Sequence, residues 1–219
     1  MNPVRSYRLD AAIVTAAVLV VYANSLLNAF AYDDVGIIAR NPVVTGPGSM
    51  RDIWLGPYWP AIGERLGLYR PLTIAILAAQ WRISDGAPWL FHAVNVLAHA
   101  GVSLLVLGLL RRLTVHPAAL FGALLFAVHP VHTESVANVV GQAELLAAAA
   151  TLAAAWLWSA RPAGLTPARV GAIALLYALA VLAKEHAIVL PGLLVALDVG
   201  AGRARRGALR GWARTVAPA

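Results

Sequence analysis

Asp33 and Asp34 stand side by side in Phe30-Ala31-Tyr32-Asp33-Asp34, directly after a long apolar run. Adjacent carboxylates raise one another's proton affinity, so one can serve as a general base while its neighbour supports it, binds a metal or caps a helix. The same pair also fits an N-cap or a solvated loop beyond a membrane span. A second group is Tyr69-Arg70-Pro71-Leu72, in which proline opens a helix and the Arg70 guanidinium lies at its mouth. Such a group suits a phosphate oxyanion, or snorkels at a membrane surface. His92, Asn95 and His99 recur at helical spacing and share a face, where hydrogen bonds between helices are the expected use and metal ligation the alternative. The most distinctive stretch is His129-Pro130-Val131-His132-Thr133-Glu134, followed by Asn138, Gly141, Gln142 and Glu144. Its His-x-x-His lacks a fixed third ligand, so zinc is a weaker reading than a polar lining. Last, Lys184-Glu185-His186 interrupts two apolar stretches and is either an ionisable functional cluster or a charge pair marking a helix end.

These groups need elements to hold them, and composition says in what solvent. The chain has 219 residues, 60% hydrophobic and only 12% charged, with no Cys, and a mean hydropathy of +0.73. A soluble domain carries about 25% charged residues, so the bilayer is the expected solvent. The missing Cys excludes disulfides, thiolate nucleophiles and Cys-ligated metals. Six apolar stretches approach the roughly 20 residues needed to cross a bilayer: 11–27, 88–110, 117–128, 143–160, 170–183 and 187–199. Residues 71–83 are apolar but too short, and predict an interfacial or re-entrant helix within an external loop over 28–87. The fold class is therefore all-α, a single polytopic membrane domain over 1–219 with a basic cytoplasmic tail over 200–219.

Charge placement sets the orientation. With the amino terminus inside, Arg5, Arg8, Arg111, Arg112, Arg161, Arg169 and five C-terminal arginines fall inside, 11 of 17 basic residues, as the positive-inside rule requires. The net charge of +7 thus reads as membrane orientation rather than nucleic-acid binding, and the expected neighbours are membrane lipids. Asp33, Asp34, Asp52, Glu64, Asp85, Glu134, Glu144 and Glu185 collect outside, against Asp10 and Asp198 inside. Arg5 and Arg8 before an apolar run, and the small-x-small Ala29-Phe30-Ala31, also fit a signal peptide. The length of the run and the five spans after it favour a retained first span. Glycines spread through the helices are expected to permit close helix packing.

From about Leu9 to Asp198 the chain resembles the amino-terminal half of the membrane domain of the TMTC-type protein O-mannosyltransferases, which are GT-C glycosyltransferases. The matching blocks are Asn28-Ala29-Phe30-Ala31-Tyr32-Asp33-Asp34, Asn41, Tyr69-Arg70-Pro71-Leu72-Thr73, residues 91–99, His129-Pro130-Val131-His132-Thr133-Glu134 and Ala183-Lys184-Glu185. The chain departs from the family pattern at Gln142, where Arg is usual, and in having neither the further spans nor the tetratricopeptide repeats that follow in the family, so a fragment with a partial GT-C fold is the expectation.

The resemblance implies a multi-pass enzyme that moves a sugar, mannose in the best-known members, from a polyprenyl-phosphate carrier to a Ser or Thr hydroxyl of a protein acceptor. Its active face would be periplasmic in a cell (inner) membrane, or lumenal in an endoplasmic reticulum. Asp33 is then the base and Asp34 its support. Arg70, Lys184 and His132 would receive the lipid phosphate, and His92, Asn95, His99, His129, Glu134, Glu144 and Glu185 would position helices or sugar. No cofactor is implied, and a divalent metal stays open. The rivals from other classes are a transporter or flippase-like module, in which Asp33, Glu134, Lys184 and Glu185 line a path, and a non-catalytic truncated membrane subunit.

Overall fold

The computed structural model describes residues 3–60, 67–160 and 165–200, and side chains from Ser6 onward. The expected inside charges Arg5, Arg161 and the arginines beyond Gly200, and the outside pair Glu64 and Arg65, lie outside the described residues or side chains. Described residues form helices and turns with no strand. In chain order the helices are α1 Pro3–Tyr22, α2 Pro42–Thr45, α3 Met50–Leu55, α4 Pro71–Ser84, α5 Pro88–Leu113, α6 His116–Val128, α7 Thr133–Ala137, α8 Gln142–Ser159, α9 Pro167–Ala183 and α10 Leu190–Gly200.

Local chemistry explains where they start. Proline stands in the first turn of α2, α4, α5, α6 and α9, where its fixed φ is pre-set for a helix and its missing N–H costs nothing. Asn41 and Thr166 accept from Val43 N and Arg169 N as side-chain caps, and Ser49 with Asp52 forms a reciprocal capping box on α3. α4 ends on Asp85 in the left-handed region, φ +53°.

Three helical segments are long and apolar enough to cross a membrane: Ser6–Leu27, Pro88–Leu113 and Val139–Ser159. A fourth exists if His116–Val128 and Pro130–Ala137, bent by 43°, count as one broken span. Pro167–Ala183 is a shorter apolar helix, and the last stretch divides into a 3-10 turn, Glu185–Val189, and the 11-residue α10.

Two sets of polar contacts show that α1, α5, α6, α8, α9 and α10 alternate in direction. At one end Arg111 and His116 both reach Asp10 at 2.8 Å. Arg112 donates to Trp156 O and Ser159, and Trp158 Nε1 donates to Asp198. At the other end stand residues 31–34, the start of α4, the 129–144 segment and residues 184–186, described below.

Between the ends the helices meet on small residues. Ala119, Ala123 and Ala127 of α6 form a fully buried stripe facing Val14, Val18 and Leu107, and Ala147, Ala180, Ala183 and Ala187 form another seam. Alanine takes most of the role expected of glycine: an added Cβ at Gly101, Gly171 or Gly192 would meet nothing within 4 Å, and the close approaches are Gly108 to Trp156 and Gly122 to Leu110. Close packing there needs only a small side chain, and alanine supplies it without the backbone entropy of glycine.

Residues 30–60 are not a loose loop. Ile37, Ile38, Val44, Ile53 and Tyr58 pack with Ile74, Leu77, Phe91 and Val139 into one buried cluster over α4. Beneath it runs a chain of buried amides: Gln80 donates to Gln142 at 2.7 Å, Gln142 donates to Asn95 at 2.9 Å, and the Asn95 amide donates to the carbonyls of Val136, Asn138 and Val139. Three helices and the 136–139 turn are thereby joined. Gln142→Leu would leave Gln80 and Asn95 each short of a partner, at about 1–3 kcal/mol apiece. The thermal midpoint in detergent should fall by several degrees, and an unchanged midpoint would show that the amide chain does not hold these elements together.

Candidate functional site

The turn Ala31–Asp34 begins the site. Tyr32 has φ +49°, a region that non-glycine residues seldom occupy, and Asp34 N closes the turn on Ala31 O at 3.0 Å. A single π-helical turn, Val35–Ala39, follows. This backbone sends the two carboxylates apart. Asp34 is buried and accepts from the backbone N–H of Val140 at 2.8 Å, Ala31 at 3.2 Å and Val139 at 3.4 Å. Its burial raises the carboxyl's proton affinity, and the three N–H donors oppose that rise. Asp33 is exposed and faces a cavity.

The cavity has a volume of about 330 Å³, and its polar walls include Asp33, Tyr58, Arg70, Glu134, Glu144 and Lys184. Arg70 is brought in by the first turn of α4, and Lys184 by the end of α9. The hydroxyl of Thr73 donates to Ala183 O at 2.9 Å and holds those two helix ends together. Both cations already face carboxylates. Arg70 Nε and Nη2 donate to the two oxygens of Glu185 at 2.9 and 2.6 Å, which holds the Glu185 carboxyl down at about 2. Lys184 pairs with Glu144, and His186 Nδ1 lies 3.5 Å from the second Glu144 oxygen. Arg70 also stacks on Tyr58, 4.6 Å from the ring centroid. Tyr58 is 2% exposed, and burial pushes its phenol up to about 12.

The opposite wall comes from the 129–141 segment. His129 caps its own turn by accepting from Val131 N at 3.2 Å, and Gly141 lies so close to Ser135 that an added Cβ would fall 2.5 Å from Ser135 Cα. Glu134 is thereby exposed on the cavity side. Glu144 and Ser135 also line an adjoining groove of about 350 Å³, whose other walls include His99, Phe126, His132, Leu145 and His186. The His132 ring lies 4.3 Å from Phe126 and 5.1 Å from His99, centroid to centroid.

Of the residues singled out from the sequence, Asp33, Arg70, Glu134, Glu144 and Lys184 meet at one cavity, with Glu185 bound to Arg70. Asp34 is committed to the backbone of the facing segment. His132 stands in the adjoining groove rather than with Arg70 and Lys184. Asn95 bridges helices, as does His99 through Ala127 O at 3.0 Å, while buried His92 has no partner on either ring nitrogen within hydrogen-bond geometry. Among the described residues no three His, Asp or Glu side chains converge as metal ligands. Tyr58 and Gln80 were missed. Tyr58 lies in a Gly- and Pro-rich stretch without period, and Gln80 is one amide in an apolar helix, so neither carries a local signal.

The chain is 33% identical over 196 residues to the protein O-mannosyl-transferase TMTC3 of Homo sapiens, covering 85% of this chain and 21% of that relative. It is 38% identical over 157 residues to the human protein O-mannosyl-transferase TMTC4, covering 62% and 21%, and 35% identical over 148 residues to TMTC3 of Mus musculus, covering 66% and 16%. No protein-family model matches it, and no solved structure does. The chain spans about a fifth of the length of the curated relatives it matches. A likeness at this level, over 85% of the chain in the case of human TMTC3, assigns the chain to the TMTC-type protein O-mannosyl-transferase family.

Proposed function

We propose that the chain is the part of a membrane glycosyltransferase that forms its reaction cavity, transferring mannose from a polyprenyl-phosphate carrier to a Ser or Thr hydroxyl of a protein. The observation that carries this is the meeting of an exposed carboxylate, Asp33, with two cations, Arg70 and Lys184, around one cavity. The names of the relatives supply the reaction class.

The chemistry fits the geometry. An acceptor hydroxyl attacks the anomeric carbon while Asp33 takes its proton; the bond between that carbon and the phosphate oxygen breaks, and the phosphate leaves on the carrier with the electron pair. Arg70 and Lys184 offset the charge that develops on the leaving phosphate. One displacement inverts the anomeric centre. Glu134, across the cavity, is in reach of sugar hydroxyls. The adjoining groove, with Phe126 and Leu145 in its walls and His132 at its side, supports a path for the first isoprene units.

In the topology that suits this reading, six spans alternate, both termini are cytoplasmic, and the Asp33 cavity opens on the periplasmic or lumenal side. The clustering of Asp10, Arg111, Arg112, His116 and Asp198 at the opposite end supports it. Single cysteines at Gly48, Leu113, Thr133 and Ala208, probed in sealed cells with a membrane-impermeant thiol reagent, should label at the first and third only. Labelling at Ala208 would remove the last span or invert the orientation.

Asp33→Asn keeps size and hydrogen bonding but cannot take the proton. Transfer from a polyprenyl-phosphate mannose should fall by about 10²- to 10⁴-fold with donor binding little changed. Transfer at an undiminished rate in a well-inserted Asp33→Asn protein would remove the base assignment.

A further inference from the structure

Tyr58 carries an unanswered donor. Its ring is 2% exposed and lines the cavity. Its position is fixed by the main-chain bond from Tyr58 N to Leu68 O, 2.9 Å, and by the cluster around Ile37 and Ile53. The hydroxyl is closed off from solvent with no acceptor for its proton, and Arg70 is the one side chain set to donate to it. The group nearest in charge is Arg70, stacked on the ring, but a guanidinium has five donors and no acceptor and cannot receive the phenolic proton. A buried hydroxyl without an acceptor costs stability, so a ligand oxygen is the missing half of this contact.

Glu185 shows what kind of oxygen. Its carboxylate fits both oxygens onto the Arg70 fork, and neither oxygen accepts from the Tyr58 hydroxyl. The two partners also differ in freedom: the Arg70 side chain is 10% exposed and that of Glu185 53%, with Glu185 on a short 3-10 turn between two helices. The donor is fixed and the carboxylate can swing into solvent. A phosphate presents the same pair of oxygens to an arginine fork and a third besides.

We propose that Tyr58 and Arg70 form one phosphate seat, which the Glu185 carboxylate fills in part and a phosphate displaces, two of its oxygens taking Arg70 and a third the Tyr58 hydroxyl. This rests on the donor-phosphate reading above and adds to it a positioning residue, Tyr58, and a competitor, Glu185.

The test uses the chain in lipid nanodiscs, titrated with a polyprenyl monophosphate and separately with inorganic phosphate, read by tryptophan fluorescence because Trp59 lines the cavity. Tyr58→Phe should weaken binding about tenfold or more without lowering the thermal midpoint, since no protein group accepts the hydroxyl's proton and Arg70 keeps Glu185 as its partner. Glu185→Gln should tighten binding about tenfold, because the amide no longer competes as an anion. Both effects with inorganic phosphate show that the seat reads the phosphate alone; both with only the polyprenyl compound show that it reads phosphate and chain together. Binding that Tyr58→Phe leaves unchanged, or that Glu185→Gln weakens, overturns the seat while the donor reading survives. A lower midpoint in Tyr58→Phe means a structural hydroxyl and also overturns it. If neither wild type nor Glu185→Gln binds either probe, the donor reading and the seat fall together.

Discussion

The buried carboxylate of Asp34 is the contact on which the site depends. It accepts backbone N–H groups from its own turn and from Val139 and Val140, so a segment leaving the first span is pinned to one entering α8, more than 100 residues later. An ionised carboxylate out of water is costly unless several donors meet it. Here three do, and they hold both segments at one separation. Asp33 has its place as a consequence of its neighbour's: with Asp34 anchored inward, the preceding side chain is turned to the cavity.

The amide chain of Gln80, Gln142 and Asn95 works on the same principle without charge. Each amide both donates and accepts, so a row of them satisfies itself in an apolar interior where water is scarce. Gln142 reaches Gln80 and Asn95 at once and brings no charge into a fully buried position.

Much of this was legible in the sequence because apolar runs and helix-opening prolines are local signals. The long helices appear where those runs lie, and the polar blocks at Asp33, Arg70, Glu134 and Lys184 fall together at one end because alternating helices bring every second junction to the same side. The partners within that end were not legible. That Arg70 meets Glu185 and Lys184 meets Glu144, instead of Lys184 and Glu185 forming a neighbouring pair, follows from the extended backbone at Lys184, φ −157° and ψ 135°, which points successive side chains opposite ways. Asp33 and Asp34 part for a different reason: both are helical, so their side chains leave the backbone about 100° apart. Tyr58 was invisible because its position is set by a cluster assembled from six separate elements.

The left-handed backbone of Tyr32 carries a further meaning. Its side chain is 92% exposed, so packing does not force the conformation; the tight turn and the anchored carboxylate after it do. Chirality then acts as a selector at this point. An L-residue held in that basin has few other states open to it once the turn is closed, whereas glycine would find several of nearly equal energy. The exposed Tyr32 thus owes its handedness to the closed turn and the Asp34 anchor, and carries that constraint in its backbone alone, one carboxylate kept for architecture and the other left facing the cavity.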